Sequence, residues 1–158
     1  MTEVNLPTLQ AFFLKAMLSG WVNNGQYKVI PNLPGHKLFE YRECDLFLTD
    51  IYCTNNATHQ SAGTTTIYHK NQPVWIMQYH GYYEKRAIRL LKEILSKTYG
   101  GDEFIGGRGP AVFSMDGLTY TNVVQGSGFS EFSGREQIVD NQASISLGFH
   151  EYFGKLLT

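Results

Sequence analysis

The sequence predicts an α+β fold: an internally duplicated unit of one helix plus four antiparallel strands, with the two halves packed about a pseudo-two-fold axis. Three observations lead there. The first is an internal echo. Asn71-Gln72 and Tyr79-His80-Gly81-Tyr82-Tyr83 recur seventy positions later as Asn141-Gln142 and Phe149-His150-Glu151-Tyr152-Phe153. Leu46, Leu48, Thr49, Asp50 and Ile51 are answered seventy-two positions on by Leu118, Tyr120, Thr121, Asn122 and Val123, and Ile67 by Ile138 at a spacing of seventy-one. The second is the aromatic content of 14%, with ten Tyr and ten Phe, residue types that suit pleated, half-buried strands. The third is a helical pattern ahead of each set of strands. A helix followed by a small sheet leaves one apolar sheet face open, and two such units bury those faces against each other. The expected organisation is a single domain of two repeats, about 7–83 and 84–153.

Taken in order, Leu6-Pro7-Thr8 opens a helix, with proline in the first turn, where its missing N–H is harmless. Leu9, Phe12, Phe13, Ala16 and Met17 then recur at helical spacing. Gly20 stops the helix, and Asn23-Asn24-Gly25 is turn chemistry. Lys37 to Arg42 and Asp45 to Thr54 read as strands, the second with Leu46, Leu48, Asp50 and Tyr52 on one face. Asn55 to Ala62 reads as a polar loop. Thr64 to His69 and Pro73 to His80 form a hairpin around Lys70-Asn71-Gln72. Glu84 to Thr98 is the clearest helix, with Ala87, Ile88, Leu91, Ile94, Leu95 and Thr98 on one face and Lys85, Arg89, Lys92 and Lys97 opposite. After a Gly-rich connector from Asp102 to Pro110, the strands repeat as Ala111 to Ser114, Leu118 to Gln125, Arg135 to Asp140 and Ser144 to Tyr152. The expected core is Phe13, Leu48, Ile67, Trp75, Met77, Leu91, Ile94, Ile138, Ile145 and Leu147.

Composition closes off several classes. With 42% hydrophobic and 17% charged residues, the 158-residue chain is not a disordered one. A net charge of −1 gives no general attraction for a polyanion, so direct nucleic-acid binding is disfavoured; the basic residues of the Glu84 helix read as a solvated face. The two cysteines, Cys44 and Cys53, make no disulfide framework. No signal-peptide pattern opens the chain and no apolar run nears the ~20 residues that span a bilayer. The expectation is a cytoplasmic protein without membrane contact.

Arg108-Gly109-Pro110, Tyr120, Phe132-Ser133-Gly134-Arg135-Glu136-Gln137-Ile138, Phe149-His150 and Pro73 through Gly81 together resemble an uncharacterised bacterial domain family of about this length. Its members stand alone or follow a helix-turn-helix DNA-binding module. The resemblance covers Leu38 to the C-terminus. It departs at Glu151-Tyr152, where the family carries Gly-Gly, and at Thr65, where it carries an acidic residue. It implies no activity, cofactor or catalytic residue.

The candidate site residues are Arg108, His80, His150, Glu136, Trp75 and Tyr79. Gly106-Gly107-Arg108-Gly109-Pro110 invites an anion-nest reading, but phosphate loops follow a strand and open a helix, whereas here a helix precedes and a strand follows; an irregular connector is the plainer reading. His80 and His150 are equivalent by the echo and would meet near the pseudo-two-fold to hold a metal or exchange a proton; without a ligand spacing or shared carboxylates, strand-end histidines bonded to backbone are the plainer reading. Arg135 and Glu136 take opposite strand faces. An inward Glu136 needs a partner, and Arg108 is the one expected, in two-point contact. Trp75 is a core residue if buried and a contact residue if exposed. The cysteines look like packing thiols. No nucleophile elbow, paired-cysteine redox motif or dinucleotide fingerprint occurs.

The favoured function is therefore a non-enzymatic ligand-binding or regulatory domain, whose groove between the two halves takes a small molecule or a protein segment, without cofactor or metal. A small enzyme using His80, His150 or Glu136 is the second reading and an assembly protein the third. A deep pocket holding a perturbed His or Glu favours the enzyme; a shallow apolar patch favours assembly.

Overall fold

A computed structural model describes residues 5–101, 104–105 and 108–157. Helix α1 spans Leu6–Ser19. The Asn5 side chain caps it, Oδ1 accepting from the Thr8 backbone N–H at 2.9 Å, which satisfies one of the donors a helix start leaves free. A single 3-10 turn, Trp21–Asn23, follows. Strands β1 (Lys28–Val29), β2 (His36–Glu43), β3 (Leu46–Thr54), β4 (Gln60–His69) and β5 (Gln72–Tyr83) then run as an antiparallel meander. A 3-10 turn at Lys85–Ala87 leads into helix α2, Ile88–Tyr99. Strands β6 (Val112–Met115), β7 (Leu118–Gly128), β8 (Glu131–Asp140) and β9 (Ile145–Leu156) make a second meander.

The predicted architecture is corrected here. The strands do not form two helix-bearing sheets packed face to face; they form one antiparallel sheet of nine strands in the order β1-β2-β3-β4-β5-β9-β8-β7-β6. The last strands of the two meanders join edge to edge, from Trp75 opposite Leu156 to Tyr83 opposite Gly148. Each would otherwise present a long row of unpaired N–H and C=O groups, and pairing the two rows removes both edges at once. Alternation in sequence reports which side chains share a face; it does not report which backbone edges meet. The apolar face is covered by α1 and α2, which pack on the same side of the sheet. Burial of Leu9, Phe12, Phe13, Leu14 and Ala16 from α1, and of Leu90, Leu91, Ile94, Leu95 and Tyr99 from α2, supplies that cover.

Most of the expected core is there: Phe13, Leu48, Ile67, Trp75, Met77, Ile138 and Leu147 have no exposed surface, and Leu91 and Ile94 are almost completely buried. Ile145 is the exception at 46% exposed. It sits at the start of β9, just after Ser144 in a left-handed conformation, and the β8–β9 register shifts between Ile138 and Val139, which breaks the alternation that placed it inside. Strand β4 also begins at Gln60, so the last three residues of the expected Asn55–Ala62 loop belong to the strand. Among the described residues no helix is long and apolar enough to cross a membrane.

Trp75 anchors the centre of this layer. Its ring stacks on Phe129 at 4.7 Å between centroids and 9° between planes, Phe13 lies at 5.0 Å, and its indole N–H donates to the Phe129 carbonyl at 2.9 Å. Trp75→Ala removes a large buried side chain and leaves a cavity with an unpaired carbonyl; it is expected to cost ~3–5 kcal/mol, read as a lowered midpoint in equilibrium urea unfolding. An unchanged midpoint would show that Trp75 does not anchor the core.

Candidate functional site

Between the helices and the sheet lies a cavity of about 340 Å³. Its roof is Met17, Trp21, Val22, Ile88, Leu91 and Leu95; its floor is the sheet, with Phe39, Asp50 and Tyr52 from the first strands, Tyr79 and Tyr83 from β5 and His150 from β9. Tyr27, Tyr99 and Arg108 also line it, and Thr54, Ser61, His59 and Lys85 stand at one end, with His59 and Lys85 exposed. The β5–β9 join brings Tyr79 and His150 into one site, because Tyr79 stands directly opposite Tyr152 and Gly81 directly opposite His150.

Two glycines shape that floor. At Gly63 a Cβ would lie 2.3 Å from the Tyr79 hydroxyl oxygen, so only glycine lets the Tyr79 ring cross β4 and reach Asp50. Gly81 has φ +149°, and a Cβ there would fall 1.9 Å from the Phe149 carbonyl oxygen and 2.6 Å from His150 Cδ2. Its bare backbone lets Ser61 and His150 meet across β5, Ser61 Oγ to His150 Nε2 being 3.2 Å.

The buried polar groups form two sets. In the first, Asp50 Oδ1 accepts from the Thr65 hydroxyl at 3.0 Å and from the Tyr79 hydroxyl at 2.9 Å. Oδ2 accepts no hydrogen bond among the described residues. Burial pushes the Asp50 carboxyl up to about 6, against the pull of those two hydroxyls and of Arg108. In the second set, Arg108 Nε donates to Glu136 Oε1 at 2.7 Å and the Tyr120 hydroxyl donates to Oε2 at 2.6 Å. The expected pair is present and buried, with 7% and 0% of the two side chains exposed. The expected two-point contact is not: Tyr120 holds the second carboxylate oxygen, and the terminal amino groups of Arg108 make no hydrogen bond among the described residues. Burial opposes the Arg108 charge, but Glu136 and the surrounding tyrosines more than offset it, so its pKa is raised. Asn122 completes this set, accepting from Tyr152 at 2.6 Å and donating to the Gly109 carbonyl at 2.8 Å.

His150 lies between the sets. Burial, then the nearby Arg108 and His80 charges, hold its pKa well below the ordinary value, so the ring is neutral. Its Nδ1 is 3.8 Å from Glu136 Oε1, too far for a hydrogen bond, and has no partner among the described residues. The Tyr99 hydroxyl is likewise buried and unpartnered there, and the Tyr83 hydroxyl stands near Glu136 outside hydrogen-bonding geometry.

The structure separates the six predicted site residues. Arg108, Glu136, His150 and Tyr79 come together. Trp75 is packed in the core. His80 points to the opposite face, exposed, where it pairs with Glu151 at 3.4 Å. The expected equivalence of His80 and His150 fails on register. Met77 stands across from Thr65, and His150 across from Glu136, so the place of His150 in its meander is that of Met77, three residues from His80. An odd slip moves a strand residue to the other face. Asp50 and Tyr99 went unread as site residues. Asp50 had a signal, an acid on the same strand face as Leu46 and Leu48; Tyr99, at the end of an amphipathic helix, had none.

The outer face of the sheet carries a larger, open hollow of about 1170 Å³, lined by Ile51, Cys53, His80, Val123, Arg135 and Phe153 among others. None of these six is buried. Arg135 there pairs with Glu151 and lies 3.9 Å over the Phe149 ring. Exposed ion pairs of this kind contribute little, whereas Asp50, Arg108 and His150, whose charges burial perturbs, line the inner cavity. Gly106 and Gly107 of the proposed anion nest lie outside the described residues. Among the described residues no cluster of three or more His, Cys, Asp or Glu is placed to hold a metal ion.

A family model for a domain of unknown function, DUF5680, matches residues 50–154, and the chain belongs to that family. The matched span holds Asp50, Tyr79, Arg108, Glu136 and His150, while α1, β1 and β2 precede it. No curated protein and no solved structure matches the chain.

Two outcomes follow from the buried charges. Arg108→Met or Glu136→Gln alone strands a desolvated partner and is expected to lose ~3–5 kcal/mol, with the double variant losing less than either single one; a double-mutant cycle by chemical denaturation checks it. For Asp50, the carboxyl is harder to ionise in the fold than in the unfolded chain. The penalty is absent below its unfolded pKa of 3.8, grows as pH rises through about 6 and is complete at neutrality. Asp50→Asn keeps an acceptor for Tyr79 and Thr65. It should therefore raise stability at pH 7, by up to about 3 kcal/mol, with the gain shrinking as pH falls from 7 to 5. His150 acts oppositely, since its folded pKa is depressed: stability is lost as pH falls below 6.5. Unfolding curves of both proteins at several pH values separate the two, because the variant keeps only the His150 dependence.

Proposed function

We propose that this domain is a non-enzymatic small-molecule binder, with its site in the cavity between the helices and the sheet. One observation carries the reading: a cavity of about 340 Å³ that gathers buried polar groups with open hydrogen-bonding capacity, namely Asp50 Oδ2, the Arg108 amino groups, the Tyr99 hydroxyl and His150 Nδ1. Buried polar groups are ordinarily satisfied, and apolar walls with a few converging polar groups are the makeup of ligand pockets. Its size is at the small end of such pockets, about 300–1,000 Å³, which favours a small molecule over a protein segment.

The second reading, a small enzyme, has in its favour the Ser61–His150 contact and a perturbed histidine. The set does not close into a catalytic one. Glu136 is committed to Arg108 and Tyr120 and does not hold His150 Nδ1, and a histidine with a strongly depressed pKa is a weak base. As a binder, the domain would serve as a sensor in a bacterial cytoplasm, in keeping with the resemblance to domains that stand alone or follow a helix-turn-helix module.

A thermal-shift screen of small fragments tests the proposal. A ligand at a hundred times its Kd adds ~2.7 kcal/mol to native stability, a rise of roughly 5–10 °C for a domain of this size. Val22→Phe, which pushes a ring into the cavity, should abolish the shift while the protein still folds. Hits that survive Val22→Phe, or a library without hits, would overturn the reading.

A further inference from the structure

We infer that the occupant of this cavity is an α-amino acid with an apolar side chain, its carboxylate held by Arg108 and Tyr99 and its ammonium by Asp50. This rests on the cavity-binding reading and narrows it to one ligand class.

Arg108 and Asp50 are both buried, both line the cavity and carry opposite charges, yet they do not touch. Among the described residues Arg108 forms its ion pair with Glu136 alone, so no Asp50 oxygen is within 4.0 Å of its nitrogens. A buried guanidinium whose terminal N–H groups, and a buried carboxylate one of whose oxygens, have no partner among the described residues thus line a shared space without meeting. The unpartnered Tyr99 hydroxyl adds a donor beside Arg108, whose charge it feels.

Charge bookkeeping selects the ligand. Among the described residues the buried Asp, Glu, Arg and His side chains are Asp50, Glu136, Arg108 and a neutral His150, two negative charges against one positive. A ligand that is only an anion satisfies Arg108 and sets a second negative charge near Asp50. A ligand that is only a cation satisfies Asp50 and offsets the surplus negative charge of the set, but it leaves the Arg108 and Tyr99 donors unused. An anion adds net charge to a set already in negative surplus, and a cation strands desolvated donors. A zwitterion gives each group its complement and adds none. Two-point recognition of a carboxylate is what free guanidinium N–H groups do best. The rest of the wall, Met17, Val22, Phe39, Ile88, Leu91 and Leu95, takes an aliphatic or aromatic side chain.

Titration calorimetry of the intact chain with L-phenylalanine and L-leucine, each against its analogues, tests the assignment. For phenylalanine these are 2-phenylethylamine, which lacks the carboxylate, and 3-phenylpropionate, which lacks the ammonium. The amino acids are expected to bind, and each truncated analogue at least about tenfold more weakly, since a site left with an unpaired buried group rejects the analogue that lacks its partner. Tyr99→Phe removes a hydroxyl without a partner in the free protein, so melting should hold while amino-acid affinity falls several-fold. Asp50→Asn should lose preference for the amino acid over 3-phenylpropionate. An amine or an acid that binds as tightly as the amino acid overturns the assignment. So does a Tyr99→Phe protein with unchanged affinity. If the fragments of the preceding section bind and are blocked by Val22→Phe while apolar amino acids at millimolar concentration do not bind, the ligand class falls and the cavity reading stands. If neither binds, both fall.

Discussion

The pairing of β5 with β9 is the interaction on which the rest of the molecule depends. A five-stranded and a four-stranded meander lying apart would each need a separate cover for an apolar face and a separate defence for a long edge. Joined through nine residue pairs from Trp75–Leu156 to Tyr83–Gly148, they present a single face, and α1 and α2 suffice to cover it. The join also fixes the site. Tyr79 and His150 come from strands 71 positions apart in sequence and meet only because their backbone edges do. A long-range antiparallel pairing of this kind carries a loop-closure cost that local hairpins do not, so the join is the step that the folding of both meanders serves.

Covering a wide sheet with two helices sets a second constraint. Helices that contribute Phe13, Leu91 and Ile94 to the core cannot also fill the space near the Trp21–Asn23 turn, and the cavity opens there. Among the described residues Asp50, Arg108 and His150 line that cavity, Glu136 is bonded behind Arg108, and each of these buried groups has a different remedy. Glu136 is saturated by Arg108 and Tyr120. His150 gives up its charge. Arg108 keeps its own through Glu136 but leaves its amino end open. Asp50 is held by two hydroxyls at one oxygen, which is too little to restore its ordinary pKa. A fold selected for stability alone would place apolar residues at such positions.

What was legible in the sequence was local. Alternation located the eight longer strands to within a few residues, helical spacing found both helices, and nine of the ten residues expected in the core are buried. The two-residue β1 is too short to leave a pattern. Arg108 was matched to Glu136 because an inward acid on β8 demands a cation and Arg108 was the candidate that could reach it. The architecture was not legible, since side-chain periodicity says nothing of which edges pair. Nor was the face of His80: matching identical letters at Tyr79-His80 and Phe149-His150 ignored a three-residue slip that only hydrogen-bond register reveals. Trp75 showed its size and not its surroundings. Asp50 read as one more member of an alternating strand, because the Tyr79 ring that reaches it does so across Gly63, two strands away.

The contrast between Asp50 on β3 and Asn122 on β7 explains why the cavity opens where it does. Each is buried opposite the strand that precedes the seam, and each receives a tyrosine hydroxyl from a seam strand, Tyr79 on Asp50 and Tyr152 on Asn122. Asn122 is then complete, because its amide nitrogen donates to the Gly109 carbonyl. Its neighbour Glu136 is complete as well. Asp50 faces only Thr65 in the position across from it, and a threonine hydroxyl can serve one oxygen at a time. The amide side is therefore closed by its own backbone and side chains, while the carboxylate side keeps a charge and a free acceptor turned to open space. Asparagine and aspartate are nearly the same size, an amide nitrogen in one standing where the other has an oxygen, yet an asparagine brings a donor that the local backbone can accept, and an aspartate brings a demand for one. Among the described residues nothing at this position meets that demand, and this is the physical basis on which the binding site is proposed.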